Sequence, residues 1–432
     1  MVFWLVAFII SRYDKFNSTF FIGLVGLIFY SFQGFFNSSV LLYVFLITCI
    51  FNRLKKSLSL FIILTILPLL IIKYSNFILK DLLKINFNSL FLENIIIPPG
   101  LSFISFSAIA LLIYIKNNSE NIKTNLAYLY LFPQLIAGPI VEPKSLIPQL
   151  KKNELASFEN IFLGIFIFSV GISIKVLLAD SIANYVDPIF NNLQNYEFKI
   201  RLSALFLFSQ QIFFDFNGYT LMAIGVGKTI GINLPENFNA PYLSKSISDF
   251  WKRWHITLSN WIKNYIYIPL GGSREGKLKN YTNIFIAMLI SGIWHGAGYS
   301  FIIWGFMHAL FIFFEKIIDI KYFDKKFDFI KVIYSYFIVT SLWLFFRVNE
   351  TNDIKIFFSN FSYHELLDVS ILFFVLFIFI INYLQKYITL KSLNFFYKKI
   401  NRIVITSMSF AMIIICIILA KGSSQKFIYF NF

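Results

Sequence analysis

Two histidines within apolar sequence are the residues best suited to chemistry. His295 lies in the segment Ser291–Gly298, inside a stretch that is otherwise apolar. An ionisable side chain inside a membrane costs about 2.5–3.5 kcal/mol or more, so such residues tend to line functional cavities. A neutral imidazole there can take the proton of a hydroxyl group and activate it for attack on a thioester. We therefore predict that His295 is a general base, the alternative being a core histidine with satisfied hydrogen bonds.

His255 is the second candidate, and its neighbours form an unusual mixture of residue types. Three tryptophans, a histidine and two cations fall within Trp251–Trp261. On a helix, Trp251 and Ser259 lie one turn to either side of His255. Two interpretations stay open, an interfacial helix with tryptophans at headgroup level or a helix that lines a substrate site. On the second interpretation the substrate-contacting residues, besides the histidines, are Trp251, Lys252, Arg253, Trp254, Ser259 and Trp294.

Two further polar residues, Asp215 and Asn217, interrupt the apolar segment Phe214–Tyr219. Polar side chains in such a segment either hold helices together or line a passage. The residues by themselves leave these two roles open, so both positions are candidate substrate contacts.

Motifs of other enzyme classes are missing from the sequence. Cys49 and Cys416 lie inside apolar runs and belong to no spaced Cys/His pattern, so we predict no metal site. There is also no Gly-x-Ser-x-Gly nucleophile elbow and no His-Glu-x-x-His zinc helix.

Composition places these candidates inside a membrane. Of the 432 residues, 58% are hydrophobic, 20% aromatic and only 14% charged, and the mean hydropathy is +0.70. A water-soluble domain needs more polar surface, whereas a lipid solvent allows apolar side chains to face outwards. The net charge of +16 comes from short lysine and arginine clusters between apolar stretches. Cytoplasmic loops carry such clusters, so we expect membrane lipid and no nucleic acid as a partner.

Apolar runs predict about eleven membrane-spanning helices, since a span needs roughly 20 residues. The segment Met1–Ile10 has no basic leader, and we interpret it as a retained first helix. Asn283–Phe314 is too long for one span, so it is either a long tilted helix or a helix with a re-entrant piece. The remaining clear runs are Thr19–Phe32, Ser38–Phe51, Ser59–Phe77, Ile95–Ile115, Phe158–Leu178, Leu202–Ile230, Phe329–Phe346, Val369–Tyr387 and Ile403–Ala420.

Four stretches of the sequence resemble a known family of membrane enzymes. They are Phe132–Pro139, Asp215–Tyr219, Asn237–Pro241 with Asp249–His255, and Trp294–Gly296. In these residues the chain resembles the membrane-bound O-acyltransferase family, and specifically its bacterial branch of alginate and peptidoglycan O-acetyltransferase-like proteins. The order of an arginine-tryptophan-histidine and a tryptophan-histidine-glycine motif is specific to that family.

The resemblance implies a fold and a site. The fold would be an all-α polytopic membrane protein in which about eleven transmembrane helices and short re-entrant or interfacial helices surround a central tunnel. One integral membrane domain would cover residues 1–432, with peripheral helices at about 1–90, a catalytic core at about 95–320 and C-terminal helices at about 328–421. His295 corresponds to the essential histidine of the tunnel, and His255 to the second characteristic histidine.

The resemblance also implies a reaction. An acyl thioester on the cytoplasmic side is the donor, with no bound cofactor, and Tyr267–Arg274 favours acetyl-CoA over a D-alanyl carrier protein. Lys252 and Arg253 are candidates for holding the donor's phosphates. The acceptor would be a cell-envelope glycan, peptidoglycan in preference to an alginate-like exopolysaccharide. An extracytoplasmic, esterase-like acetyltransferase would complete the transfer, and the chain would lie in the bacterial inner (cytoplasmic) membrane. Two positions depart from the family pattern, Lys263–Asn264 and Tyr114.

Three other functions stay open on the sequence. One is D-alanyl transfer to teichoic acid. Another is a transporter or flippase for a lipid-linked or polar solute, since broken helices and a buried histidine suit a transport site. A third is an inactive scaffold, for which neither histidine would matter.

Overall fold

A computed structural model describes residues 18–85, 97–136, 138–152, 156–318, 324–348, 350–361, 369–420 and 427–428. Over these ranges the chain forms helices joined by short turns, without a β-strand. The all-α class that the family resemblance implies is therefore confirmed. The first helix predicted at Met1–Ile10 lies outside the described residues.

The helices belong to two compact units, and the first comprises Met1–Phe168 with Thr220–Pro235. Here the chain cannot form strands or loops at membrane depth, because only a helix satisfies its own backbone groups in lipid. Its helices are α1 Ser18–Ser31, α2 Phe35–Leu54, α3 Leu58–Leu69, α4 Leu101–Asn117, α5 Ile122–Leu129, α6 Phe132–Leu135 and α7 Pro143–Lys152. Two longer helices, α8 Phe158–Ser173 and α10 Phe198–Thr229, contain the boundaries between the units.

The second unit comprises Ser169–Tyr219 with Glu236–Phe432, and it contains every candidate site residue. Its helices are α9 Asp180–Asn191, α11 Ile247–Phe250, α12 Ile256–Ile262, α13 Lys277–His295, α14 Tyr299–Ile318, α15 Asp328–Arg347, α16 Thr351–Phe358, α17 Val369–Leu384, α18 Leu390–Lys399 and α19 Arg402–Ala420. The three-part division predicted for residues 1–432 and the central tunnel stay predictions.

Several of these helices are long and apolar enough to cross a membrane. In the described part of the chain they are Phe35–Leu54, Phe158–Asn191, Tyr299–Ile318, Lys325–Arg347 and Arg402–Ala420. A pair bent by 65°, Phe373–Ile388 and Leu390–Lys399, makes a further candidate. Three runs predicted as spans fold as shorter apolar helices, Thr19–Ser31, Leu58–Tyr74 and Leu101–Asn117. The chain is thus a multi-pass membrane protein.

The run Asn283–Phe314 is neither a single tilted helix nor a helix with a re-entrant piece, which corrects the prediction. It lies across two helices, because α13 ends at His295 and α14 begins at Tyr299. The two are antiparallel, since the ring of Tyr281 near the start of α13 lies 4.9 Å from that of Phe313 near the end of α14. The glycines at 296 and 298 occupy the turn between them.

Two glycines let α13 and α14 approach each other closely. A Cβ added at Gly292 would overlap the carbonyl oxygen of Phe301 and lie 3.2 Å from the Cα of Gly305. A Cβ added at Gly305 would lie 2.5 Å from the carbonyl oxygen of Met288. Gly292 and Gly305 are therefore the small residues at the contact between the two helices, and Gly296, in the turn, leaves space for the ring of Phe301, which an added Cβ would overlap.

We predict that Gly305→Ala destabilises the protein. Helix propensity alone favours alanine over glycine by about 1 kcal/mol, but overpacking a tight contact costs about 1–3 kcal/mol. The unfolding temperature of the purified protein in detergent should therefore fall. Gly298→Ala is the matched control, because the nearest atoms to its added Cβ lie 3.8 Å away. A Gly305→Ala protein as stable as the wild type would contradict the close packing.

Candidate active site

The indole ring of Trp294 lies close to both His255 and His295. The ring centroid of Trp294 is 6.1 Å from that of His255 and 4.9 Å from that of His295, edge-on in both pairs. The three side chains are buried, with exposed fractions of 0% for His255, 4% for Trp294 and 3% for His295. The structure therefore brings together both predicted histidines and one predicted substrate residue.

A row of rings continues from His295 into α14. The ring of Trp304 lies 5.1 Å from that of His295 and 4.7 Å from that of His308. The indole N–H of Trp251 donates to Nδ1 of His308 at 3.3 Å. We name this the histidine–tryptophan row, and its six members in order are His255, Trp294, His295, Trp304, His308 and Trp251.

Trp304 and His308 are absent from the sequence predictions. A straight helix through both His295 and His308 would turn the second histidine to another face, whereas the turn after His295 brings α14 back along α13. A signal was available, because Trp304, His308 and Glu315 are spaced by four and seven residues and so share one helix face.

The backbone at His255 has an uncommon conformation that a nearby amide stabilises. With φ 44° and ψ 53°, His255 is a left-handed N-cap of α12; non-glycine residues adopt this region rarely. The side-chain oxygen of Asn237 accepts from the backbone N–H of Thr257 at 3.1 Å and from its hydroxyl at 2.8 Å. It also lies 3.2 Å from Nδ1 of His255. Since this oxygen is an acceptor, we assign the proton of His255 to Nδ1.

The charge state of His255 follows from its burial. His255 lies outside the candidate membrane-spanning helices, and desolvation lowers the pKa of its imidazole to about 3. The ring is therefore neutral at physiological pH. With Nδ1 donating to Asn237, its Nε2 is an acceptor, and it can orient a substrate by hydrogen bonding rather than by charge.

Glu315 holds α11, the helix that precedes Trp251, against α14. Its two carboxylate oxygens accept the backbone N–H groups of Ile247 at 2.6 Å and Ser248 at 3.2 Å. The first N–H groups of a helix lack partners within the helix and carry a partial positive charge, so a carboxylate stabilises them. Because α14 also carries His308, both ends of the α11–Trp251 segment are attached to one helix.

A cavity of about 410 Å³ opens beside the row and is partly lined with lysines. Lys252 and Lys263 are exposed, whereas Trp251, Met288 and Ser291 are buried, so the lysines mark the solvent end. Ser291 precedes His295 by one turn of α13, and the inner end of the cavity therefore approaches the general-base candidate. The lining comprises Ser246, Ser248, Trp251, Lys252, Leu258, Ser259, Ile262, Lys263, Tyr267, Ile284, Ala287, Met288, Ser291, Ile312, Glu315 and Lys316.

The predicted substrate residues are distributed unevenly around this cavity. Trp251, Lys252 and Ser259 line it. Arg253 does not, and its Nε pairs with Oδ1 of Asp249 at 3.0 Å. Trp254 is fully buried and stacks on Phe250 with their ring centroids 5.5 Å apart, so it packs in the core.

Asp215 takes part in a buried charge cluster. Nζ of Lys175 lies 2.7 Å from Oδ1 of Asp215 and 2.6 Å from Oδ1 of Asp180. The other oxygen of Asp215 accepts the backbone N–H of Ile428 at 2.7 Å. Of its two predicted roles, these contacts favour holding helices together. Asn217 is buried on the same helix, α10. Among the described residues no group of three or more His, Cys, Asp or Glu side chains is arranged to hold a metal ion.

We predict that Asn237→Ala displaces His255. The change removes the oxygen that accepts hydrogen bonds from the backbone N–H and hydroxyl of Thr257 and from Nδ1 of His255. A buried donor that loses its acceptor costs about 1–3 kcal/mol. The unfolding temperature in detergent should fall together with the activity described below. Asn239→Ala is the control, because its side chain is exposed and its backbone bond to Arg253 persists. Equal stability of the two variants would contradict a holding role for Asn237.

Three curated relatives illustrate what the chain is similar to. It is 43% identical over 223 residues to the peptidoglycan O-acetyltransferase of Helicobacter pylori, covering 50% of this chain and 42% of that protein. It is 35% identical over 283 residues to the probable alginate O-acetylase AlgI of Pseudomonas putida, covering 64% and 58%. A teichoic acid D-alanyltransferase of Bacillus subtilis is 30% identical over 243 residues, covering 52% and 61%.

The aligned region spans about half the length of these relatives, 42% to 61%. The profile of MBOAT, the membrane-bound O-acyltransferase family, matches residues 113–352, which is more than half of the 432-residue chain. This match contains both sequence-predicted histidines and the whole histidine–tryptophan row. The chain therefore belongs to the membrane-bound O-acyltransferase family.

Proposed function

We propose that the chain is an O-acetyltransferase that takes an acetyl group from acetyl-CoA on the cytoplasmic side and passes it towards a cell-envelope glycan, with His295 as the general base. The family assignment supports acyl transfer as the chemistry. The observation that carries the proposal is the lysine-lined cavity: His295 does not line it, but Ser291, one helical turn before His295 on α13, does.

The cavity fits a thioester that carries phosphates. Its outer end has Lys252, Lys263 and Lys316, and these cations suit the phosphate groups of coenzyme A. Its inner wall contains apolar side chains such as Ala287, Met288 and Ile312, which suit a pantetheine arm and an acetyl group. Arg253 was predicted to bind these phosphates together with Lys252, but it pairs with Asp249. We therefore assign phosphate binding to Lys252, Lys263 and Lys316.

In the proposed reaction His295 acts first as a base and then as a proton donor. The acceptor's hydroxyl oxygen attacks the thioester carbonyl carbon while its proton moves to His295. A C–O bond forms and the carbonyl electron pair moves onto oxygen. The C–S bond then breaks, and the thiolate of coenzyme A takes the proton from the imidazolium. His255, held neutral by burial, orients the acceptor from its position beside Trp294.

The relatives support a glycan as the final acceptor. The protein 43% identical to this chain is named for peptidoglycan and the one 35% identical for alginate, so we take peptidoglycan as the first choice. An extracytoplasmic, esterase-like transferase is the proposed partner that places the acetyl group on the glycan. The proposed location is the bacterial cytoplasmic membrane.

D-alanyl transfer is the second candidate function, because one relative 30% identical to this chain is named a teichoic acid D-alanyltransferase. A thioester on a carrier protein would bring one pantetheine phosphate to the cavity, whereas acetyl-CoA brings three phosphate groups. The presence of three lysines at the cavity favours acetyl-CoA. A transporter predicts no cleavage of either thioester.

We expect His295→Ala to abolish release of coenzyme A from acetyl-CoA by the full-length protein in phospholipid vesicles, with muropeptides as acceptor and an extracytoplasmic extract of the source bacterium present to supply the proposed partner transferase. Loss of a general base costs about 10²–10⁴ in rate. Thiol release and acetate on the muropeptides are measured, and thermal unfolding is compared to show that the variant is folded. Undiminished transfer by His295→Ala would overturn the proposal. Absence of cleavage by the wild type would favour transport.

We expect the double variant Lys252→Gln, Lys263→Gln to bind acetyl-CoA more weakly. Exposed ion pairs contribute about 0.2–1 kcal/mol each, so the loss of two should raise KM about two- to thirtyfold, with little change in kcat. The salt dependence of KM should also decrease. Lys277→Gln, Lys279→Gln is the charge-matched control, since these exposed lysines do not line the cavity. Equal KM values for the two double variants would count against phosphate binding there.

A further inference from the structure

The indole N–H of Trp304 is a buried hydrogen-bond donor without an acceptor. Trp304 has an exposed fraction of 0%, and within the described ranges no acceptor pairs with its Nε1. A buried unsatisfied donor costs about 1–3 kcal/mol, so it needs an explanation. Its ring lies 5.1 Å from that of His295, beside the general-base candidate.

The neighbouring histidine does not satisfy this donor. His308 lies 4.7 Å from Trp304 by ring centroids, but its Nδ1 already accepts from Trp251. A neutral imidazole with one accepting nitrogen carries its proton on the other, so Nε2 of His308 is itself a donor. Two donors cannot bond to each other. The described residues therefore leave both N–H groups available to an acceptor that enters the site.

We infer that the N–H of Trp304 donates a hydrogen bond to the carbonyl oxygen of the transferred acetyl group and stabilises its negative charge. The inference rests on the proposed function. When the acceptor's oxygen bonds to the carbonyl carbon, the carbonyl π pair becomes a lone pair on oxygen, and His295 holds the proton. Collapse restores the C=O bond and expels the thiolate, which recovers that proton. An uncharged donor fixed in a dry site is suited to this oxyanion.

Three features of Trp304 favour this role over simple packing. An indole N–H only donates, so it never competes with His295 for the acceptor's proton. Its ring is held edge-on by Trp251 and Phe346, each with a centroid 5.5 Å away. Such a preorganised donor needs no rearrangement when the charge develops.

The test compares Trp304→Phe with Trp343→Phe. Trp343 is equally buried and stacks on Trp304 at 5.9 Å, but its N–H donates to the hydroxyl of Tyr242 at 3.1 Å. Both changes remove one indole and keep a ring, and they differ in whether the lost N–H has a protein partner. The rate of acetyl-CoA cleavage and the unfolding temperature are measured for the full-length protein in vesicles.

We expect opposite patterns in the two variants. Trp304→Phe should lower kcat by about 10²–10³, with the KM for acetyl-CoA changed by less than about threefold. Trp343→Phe should lose more thermal stability than Trp304→Phe and keep its kcat within about threefold of the wild type, because its N–H serves the fold.

Each other outcome overturns a distinct claim. Equal kcat for Trp304→Phe and the wild type, with His295→Ala inactive, would sink the oxyanion role and leave the proposed function intact. If Trp304→Phe and Trp343→Phe lost the same amount of kcat and of thermal stability, the role of Trp304 would be packing and not oxyanion binding. An active His295→Ala protein would instead overturn the proposed function itself.

Discussion

The close backbone contact between α13 and α14 is the constraint on which the candidate site depends. Gly292 and Gly305 allow the two helices to touch, and the turn after His295 sends the chain back along itself. As a result Trp304, which follows His295 in sequence, lies beside it in space, and His308 lies beside Trp304. A larger side chain at either glycine would separate the helices, and the row of rings would open between His295 and Trp304.

Three buried polar side chains in the second unit make hydrogen bonds or ion pairs that serve the fold. The Glu315 carboxylate satisfies the first N–H groups of α11, and Asp215 satisfies Lys175 and a backbone N–H. The Asn237 amide fixes the strained backbone of His255. Such groups are costly in lipid unless they are paired, so their pairing identifies them as structural. Among the described residues the N–H groups of Trp304 and His308 have no protein acceptor, and the ring of Trp304 lies next to that of His295.

Charge and apolar surface are separated along the cavity in a way that suits its proposed donor. The lysines at 252 and 263 are exposed, and Met288 and Ser291 are buried. A phosphate keeps part of its hydration at the outer end, whereas the thioester leaves water before it reaches the base. Excluding water from that end also protects the thioester from hydrolysis. The same unit therefore contains a cavity with exposed lysines and, on α13, the histidine proposed as the base.

The sequence by itself determined that this is a helical membrane protein, and it determined the family. Apolar runs and the short motifs around His255 and His295 are local signals that can be read without a structure. It also identified Trp251, Lys252 and Ser259, which line the cavity. Only the tertiary structure decided that Arg253 pairs with Asp249, that Asp215 joins a charge cluster, and that Trp304 and His308 extend the row. Arg253 and Asp249 are four residues apart, a spacing that permits a contact on a helix but does not require one. Asp215 and Lys175 belong to separate elements, and the row from His295 to His308 depends on how the chain turns between α13 and α14. A pattern of residue types does not encode contacts between elements, because periodicity relates residues within one helix only.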